Sequence, residues 1–191
     1  DVHHHALGPE LADLLHPVYL SGVPLGLVLR KGVVVGAGAD VEQVAHGIGL
    51  DERIGAAFLQ AGPGYGGSCF PKDTTALQAI AQEHGINLRL VETVIASNEA
   101  RKRAMGRRIS KALHGDLTGR VVAVLGLTFK PNTDDMRDSP ALPLIDALQR
   151  AGAKVQVFDP QGMNRARGQL GDVRFMDNPY LCAEGADCMV L

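Results

Sequence analysis

The chain has 191 residues, enough for one domain of ordinary size or two small ones. An apolar content of 46% fits a protein with a buried core, while the 4% aromatic content, without Trp, implies a core of Val, Leu, Ile and Ala. With 19 basic against 21 acidic residues the net charge is −2, which leaves no basic footprint for nucleic acid, and no apolar run reaches the length of a membrane span. Arg101, Lys102, Arg103, Arg107 and Arg108 form the densest basic group and read as one solvated side of a helix. The three cysteines, Cys69, Cys182 and Cys188, have no framework spacing, so a reducing, cytoplasmic setting is expected.

Residues 1–38 sustain neither a helical nor a strand period and are expected to be irregular. His3–His5 read as a low-complexity end or tag remnant, not a metal site. "VYLSGVPLGLVL" is broken by Gly and Pro and lacks the ordered regions of a secretory signal. From Ala39 the pattern changes. Asp40 is a candidate N-cap, with Val41, Val44, Ala45 and Ile48 at helical spacing behind it. A second helix is predicted with Asp73 and Thr74 as caps and Gly85 as its stop. A long helix follows over 90–114, with Val91, Val94, Ile95, Asn98 and Met105 near one face, ended by Gly115.

"RVVAVLGL" then has the continuous apolar character of a parallel strand buried on both faces. A polar loop, "TFKPNTDDMRDS", leads to a helix in "PALPLIDALQRAG", a strand in "KVQVFDP", a short strand in "DVRFM", a helix in "NPYLCAEGA" and a last strand in "DCMVL". This alternation predicts a parallel α/β sheet with more strands than these four, so the chain is expected to be truncated. The predicted division is residues 1–38 irregular, 39–115 helical and 116–191 α/β.

The chemistry centres on "AGPGYGGSCFPKDT". A thiol becomes a useful nucleophile when cations, backbone N–H groups or a helix N-terminus stabilise its thiolate. Cys69 follows Gly62, Gly64, Gly66 and Gly67, which permit close backbone approach and an N–H-lined concavity. A helix start, Lys72 and Asp73 come directly after it. The competing reading is a small buried hydrophobe in a tight turn, which is also the reading for Cys182 and Cys188.

Three stretches in order, "GADVEQVAHGIGLDERIG", "GPGYGGSCFPKD" and "VAVLGLTFKPNTDDMRDSP", resemble the UDP-glucose 6-dehydrogenase branch of the nucleotide-sugar dehydrogenases. The resemblance covers roughly residues 38–191. It implies a central helical dimerisation region followed by a Rossmann-like, parallel-sheet C-terminal domain that binds the nucleotide-sugar. It also implies NAD as cofactor, UDP-glucose as substrate and a homodimer or higher homo-oligomer. In such a family Cys69 would be the nucleophile, carrying a thiohemiacetal and then a thioester, with Asp73 orienting the hydrolytic water. Tyr65 and Gly66 would line the sugar pocket, Arg53 would reach a partner subunit's substrate, and Phe129 and Lys130 would hold the nucleotide-sugar. Lys72 and Arg137 would face the cofactor. Two alternatives stay open: a dehydrogenase of another nucleotide-sugar such as GDP-mannose, and a non-catalytic dimerisation or binding remnant.

The same resemblance calls for a dinucleotide-binding domain ahead of these motifs, and "VVVGAGADVE" lacks the third glycine of that fingerprint. A lysine and asparagine expected upstream fall near Asp13 and Pro17, which cannot replace them. The 191 residues alone are therefore not expected to turn over. "VAVLGLTF" with Asp159 in "VFDP" has a Rossmann outline that by itself suggests NAD; the resemblance places a nucleotide-sugar there instead.

Overall fold

A computed structural model of the chain describes residues 40–191 and, ahead of them, two short strands, β1 (Tyr19–Leu20) and β2 (Val23–Pro24). The expectations for His3–His5, for Asp13 and Pro17 and for residues 33–38 lie outside the described residues. The chain divides into two compact units, Asp1–Ala61 and Gly62–Leu191.

In the first unit β1 and β2 pair antiparallel, Leu20 opposite Val23, within the segment where the sequence sustains no period. Helix α1 (Val41–Gly49) starts as predicted: the Asp40 carboxylate accepts the Glu42 N–H at 2.9 Å. Beyond it the Asp51 carbonyl accepts from Ile54 and Gly55 in a tight turn that carries Arg53.

The second unit opens with α2 (Phe70–Glu83) and α3 (Arg89–Ala112). Helix α2 begins at least four residues earlier than the cap residues suggest. Cys69 occupies the N-cap position and Pro71 sits in the first turn, where a missing N–H costs nothing. Thr74 lies inside the helix, its hydroxyl donating to the Phe70 carbonyl at 2.8 Å. Gly85, at φ +68°, ends α2 as expected, with the Ile86 N–H returning to the Ala81 carbonyl.

The buried side of α3 also differs from expectation. It consists of Asn98, Lys102, Met105, Gly106 and Ile109, while Val94 is exposed. Lys102, read from sequence as solvated, is only 2% exposed. The interior of this face is set by α4 (Ala141–Arg150), which packs on α3 and brings the Ala147 methyl to 3.0 Å from where a Gly106 Cβ would stand.

Four parallel strands follow the predicted alternation: β3 (Val121–Leu125), β4 (Lys154–Phe158), β5 (Val173–Phe175) and β6 (Cys188–Val190), in the order β5-β4-β3-β6. Register pairs Val122 with Val155 and with Cys188. Val122, Ala123, Val124 and Leu125 are all buried, so β3 is covered on both faces, which is why its sequence does not alternate. Ala123 and Leu125 meet Cys182 of α6 (Pro179–Ala183). A four-residue helix, α5 (Met163–Ala166), was not predicted; it is too short to show a period. The unit is thus α/β, a parallel sheet with helices on its faces.

Candidate active site

The glycine–cysteine loop, residues 62–69, is held from two directions. From α3, the Asn98 side chain binds the backbone of Tyr65 and the Arg101 guanidinium donates to the Gly62 carbonyl at 2.6 Å. From the loop after β3, the Arg137 carbonyl accepts the Gly67 N–H at 2.8 Å. The glycines are what allow this. A Cβ on Gly66 would collide with the Asp138 backbone carbonyl, and one on Gly67, which sits at φ +89°, would lie 2.7 Å from the Phe129 ring. The second case needs both the left-handed conformation and the missing side chain.

Cys69 emerges from this loop exposed, its Sγ 3.6 Å from the Ser68 hydroxyl. It stands at the start of a 14-residue helix, where unpaired N–H groups and the helix dipole favour an anion. Asp73 lies one turn on, its N–H donating to the Cys69 carbonyl at 2.8 Å. Its carboxylate pairs with Lys72 at 2.8 Å, both side chains being exposed. The Asp73 hydrogen bond and charge raise the Lys72 ammonium above its ordinary value, with a smaller contribution from a Cys69 thiolate. Arg137 is raised as well, chiefly by its hydrogen bond with Asp135 and to a lesser degree by Cys69 and Asp134. Tyr65 packs edge-on against Phe70, ring centroids 4.7 Å apart.

The loop after β3 presents Phe129, half-buried against Gly67, with the Lys130 ammonium 5.2 Å from its ring centroid. Arg137 forms a bidentate pair with Asp135, 2.9 and 2.7 Å, which holds the Asp135 carboxyl down to about 2. The loop is anchored from below by Asp159. Its buried carboxylate accepts N–H groups from Leu127, Thr128, Gln161 and Gly162 at 2.7, 3.2, 2.8 and 2.6 Å. Burial pushes this carboxyl up, but the four N–H groups outweigh that and keep it below its ordinary value. The carboxylate that a Rossmann outline would offer to a ribose is here consumed in building the loop.

Cys69, Asp73, Tyr65, Gly66 and Lys72 thus stand on one side of a seam whose other side carries Phe129, Lys130 and Arg137. Arg53 belongs to the first unit, where it pairs with Asp51 at 2.6 Å and is fully exposed. Cys182 and Cys188 are buried, their thiols pushed up by burial to about 11 and about 12, the latter also by the Asp187 charge. Among the described residues no three His, Cys, Asp or Glu side chains cluster as metal ligands, and no helix is long and apolar enough to cross a membrane. The contributions of Asn98, Lys102 and Asp138 were not foreseen; the only signal is that Asn98 and Lys102 lie one helical turn apart.

The second unit is a parallel α/β sheet joined to a glycine-bedded, exposed cysteine at the N-cap position of a helix. Residues 32–100 match the central domain, and residues 123–191 the UDP binding domain, of the UDP-glucose/GDP-mannose dehydrogenase family; the chain belongs to that family. The UDP-glucose 6-dehydrogenase of Rhizobium meliloti is 58% identical over 154 residues, 81% of this chain and 35% of that protein. The UDP-glucose 6-dehydrogenase TuaD of Bacillus subtilis is 47% identical over 81% of this chain and 34% of its own length. The structure of a UDP-glucose dehydrogenase from Pyrobaculum islandicum superposes with a TM-score of 0.73 at 40% identity, covering 77% of this chain and 34% of that one. The chain spans about a third of the length of these relatives.

Proposed function

We propose that these 191 residues are the cysteine-bearing and UDP-binding portion of an NAD-dependent UDP-glucose 6-dehydrogenase that works in the cytoplasm. The observation that carries this reading is the exposed Cys69 at the head of α2, bedded on glycines whose backbone abuts the loop holding Phe129, Lys130 and Arg137. The match to a UDP binding domain and the identity to two UDP-glucose 6-dehydrogenases favour UDP-glucose over GDP-mannose.

In this reading Phe129 and Lys130 hold the nucleotide-sugar, Lys130 by charge toward the diphosphate, and Tyr65 and Gly66 border the sugar. Arg53 completes the pocket of a partner subunit. The Cys69 sulfur adds to the C6 aldehyde carbon and retains it, first as a thiohemiacetal and then as a thioester. Water attacking that thioester, oriented by Asp73, breaks the C–S bond and returns the thiolate, leaving the C6 carboxylate of UDP-glucuronate. Both exposed cations, Lys72 and Arg137, fit a cofactor with phosphate groups. NAD, when bound, supplies the hydride acceptor for the two oxidations. The 191 residues by themselves keep at best partial recognition elements and no turnover, because no dinucleotide fingerprint is among them. Exposed Leu77, Ile80, Leu90 and Val94 on α2 and α3 support association of two copies through the central helices, with the domain boundary in the Gly115–Arg120 turn.

The test is alkylation of Cys69 with iodoacetamide, with and without UDP-glucose or GDP-mannose. Protection by UDP-glucose alone is expected. Equal protection by GDP-mannose transfers the reading to the other substrate, and a slow reaction indifferent to both ligands would leave a non-catalytic remnant.

A further inference from the structure

Among the described residues Lys102 is the one buried cation. Burying an ammonium is costly unless it is paired, and its partners are informative. Nζ lies 3.2 Å from Asp138 Oδ1 and 3.1 Å from Glu99 Oε1. Asp138 is not part of α3. It closes the loop that carries Phe129 and Arg137, and its φ of +55° is unusual for a side-chain-bearing residue. One turn earlier on the same helix, Asn98 binds the backbone of Tyr65 in the cysteine loop. The two contacts converge, since a Cβ on Gly64 would meet Asn98 Oδ1 and Lys102 Cγ, each at 2.9 Å. The helix therefore grips one loop with Asn98 and the other with Lys102, and the loops touch each other through Gly66, Gly67, Arg137 and Asp138.

We propose that Asn98 and Lys102 are positioning residues that fix the cysteine loop and the 129–139 loop in one register, so that a nucleotide-sugar held by the second presents its sugar to Cys69 on the first. The last clause rests on the function proposed above; the register itself does not.

Two measurements on this chain separate them. In hydrogen exchange, Lys102→Met and Asp138→Asn both quicken the Gly67 amide about tenfold, although neither side chain touches it, while the amides of β3 keep their wild-type rates. Asp138 is half-exposed, so its variant retains the fold if the lysine variant does not. Unchanged exchange at Gly67 in Asp138→Asn, or an equal rise at Gly67 and throughout β3, overturns the register.

In ligand binding, affinity for UDP stays within about threefold of wild type in either variant, whereas the UDP-glucose concentration that protects Cys69 from iodoacetamide rises about tenfold. A parallel loss of both affinities would mean a merely structural role and overturns the positioning. If wild-type chain binds neither UDP nor UDP-glucose, the proposed function falls, and the exchange experiment alone decides the register.

Discussion

Asn98 holds Tyr65 by both ends of its peptide: Oδ1 accepts the Tyr65 N–H at 2.8 Å, and Nδ2 donates to the Tyr65 carbonyl at 3.1 Å, across 33 residues of sequence. This exchange mimics a rung of β-ladder made by a side chain. Replacing Asn98 with Ala removes both partners at a part-buried site, with an expected loss of roughly 1–3 kcal/mol. Urea denaturation measures it. An unshifted midpoint would mean that water takes over both bonds.

The three thiols should separate cleanly. Cys69 is exposed, whereas burial raises Cys182 to about 11 and Cys188 to about 12. At pH 8, mass spectrometry of the folded chain should show one iodoacetamide adduct, at Cys69, and three after denaturation. Early labelling of either other cysteine would contradict the packing of α6 or β6 against the sheet.

Asp135 should titrate near 2, held there first by the side-chain hydrogen bond from Arg137 and then by the Arg137 backbone N–H. The folded value lies below the ordinary 3.8, so this pair stabilises the protein above that pH and its contribution fades as pH falls through about 2. Because Arg137 is largely exposed, solvent screens the pair and the contribution is small. Arg137→Ala should return the Asp135 carboxyl toward its ordinary value in a carbon-13 NMR titration, and the stability gap to wild type should close in strong acid.

Asp159→Ala should be among the most damaging single changes. It strands four backbone N–H groups, two after β3 and two after β4, at a site only 3% exposed. A loss of about 3 kcal/mol or more is expected from calorimetry. Asp159→Asn, which keeps acceptor capacity but no charge, should lose less. Equal losses would locate the effect in charge and not in hydrogen bonding.

The sheet was legible because local pattern and burial agree: "RVVAVLGL" is apolar throughout, and β3 is buried on both faces. Gly85 and Gly115 announced helix ends because both need positive φ. The start of α2 was misread because Asp73 and Thr74 are better capping residues than Cys69, yet Pro71 fits a first turn and moves the start forward. Lys102 was misplaced for a different reason. Its charge says surface, and its burial is made tolerable by Glu99 on its own helix together with Asp138, 36 residues away. Asp159 shows the same limit, since an acidic residue after a strand reads as part of a Rossmann outline until the loop it supports is seen. Cys69 itself was visible from its glycine-rich setting, and so was the long helix behind it, whereas the grip of that helix on the cysteine loop was not.

The seam between the cysteine loop and the 129–139 loop is closed by main-chain atoms, the Gly67 N–H on the Arg137 carbonyl and Gly66 against the Asp138 carbonyl. A junction of this kind does not depend on which side chains stand at 130 or 137, because every residue brings the same carbonyl. The side chains at these positions are thereby uncoupled from the joint that carries them. Substitutions at Lys130 or Arg137 would leave the joint in place, but any side chain at Gly66 or Gly67 would pry it open. Variable side chains on one loop and a fixed seat for the thiol on the other can coexist across such a seam.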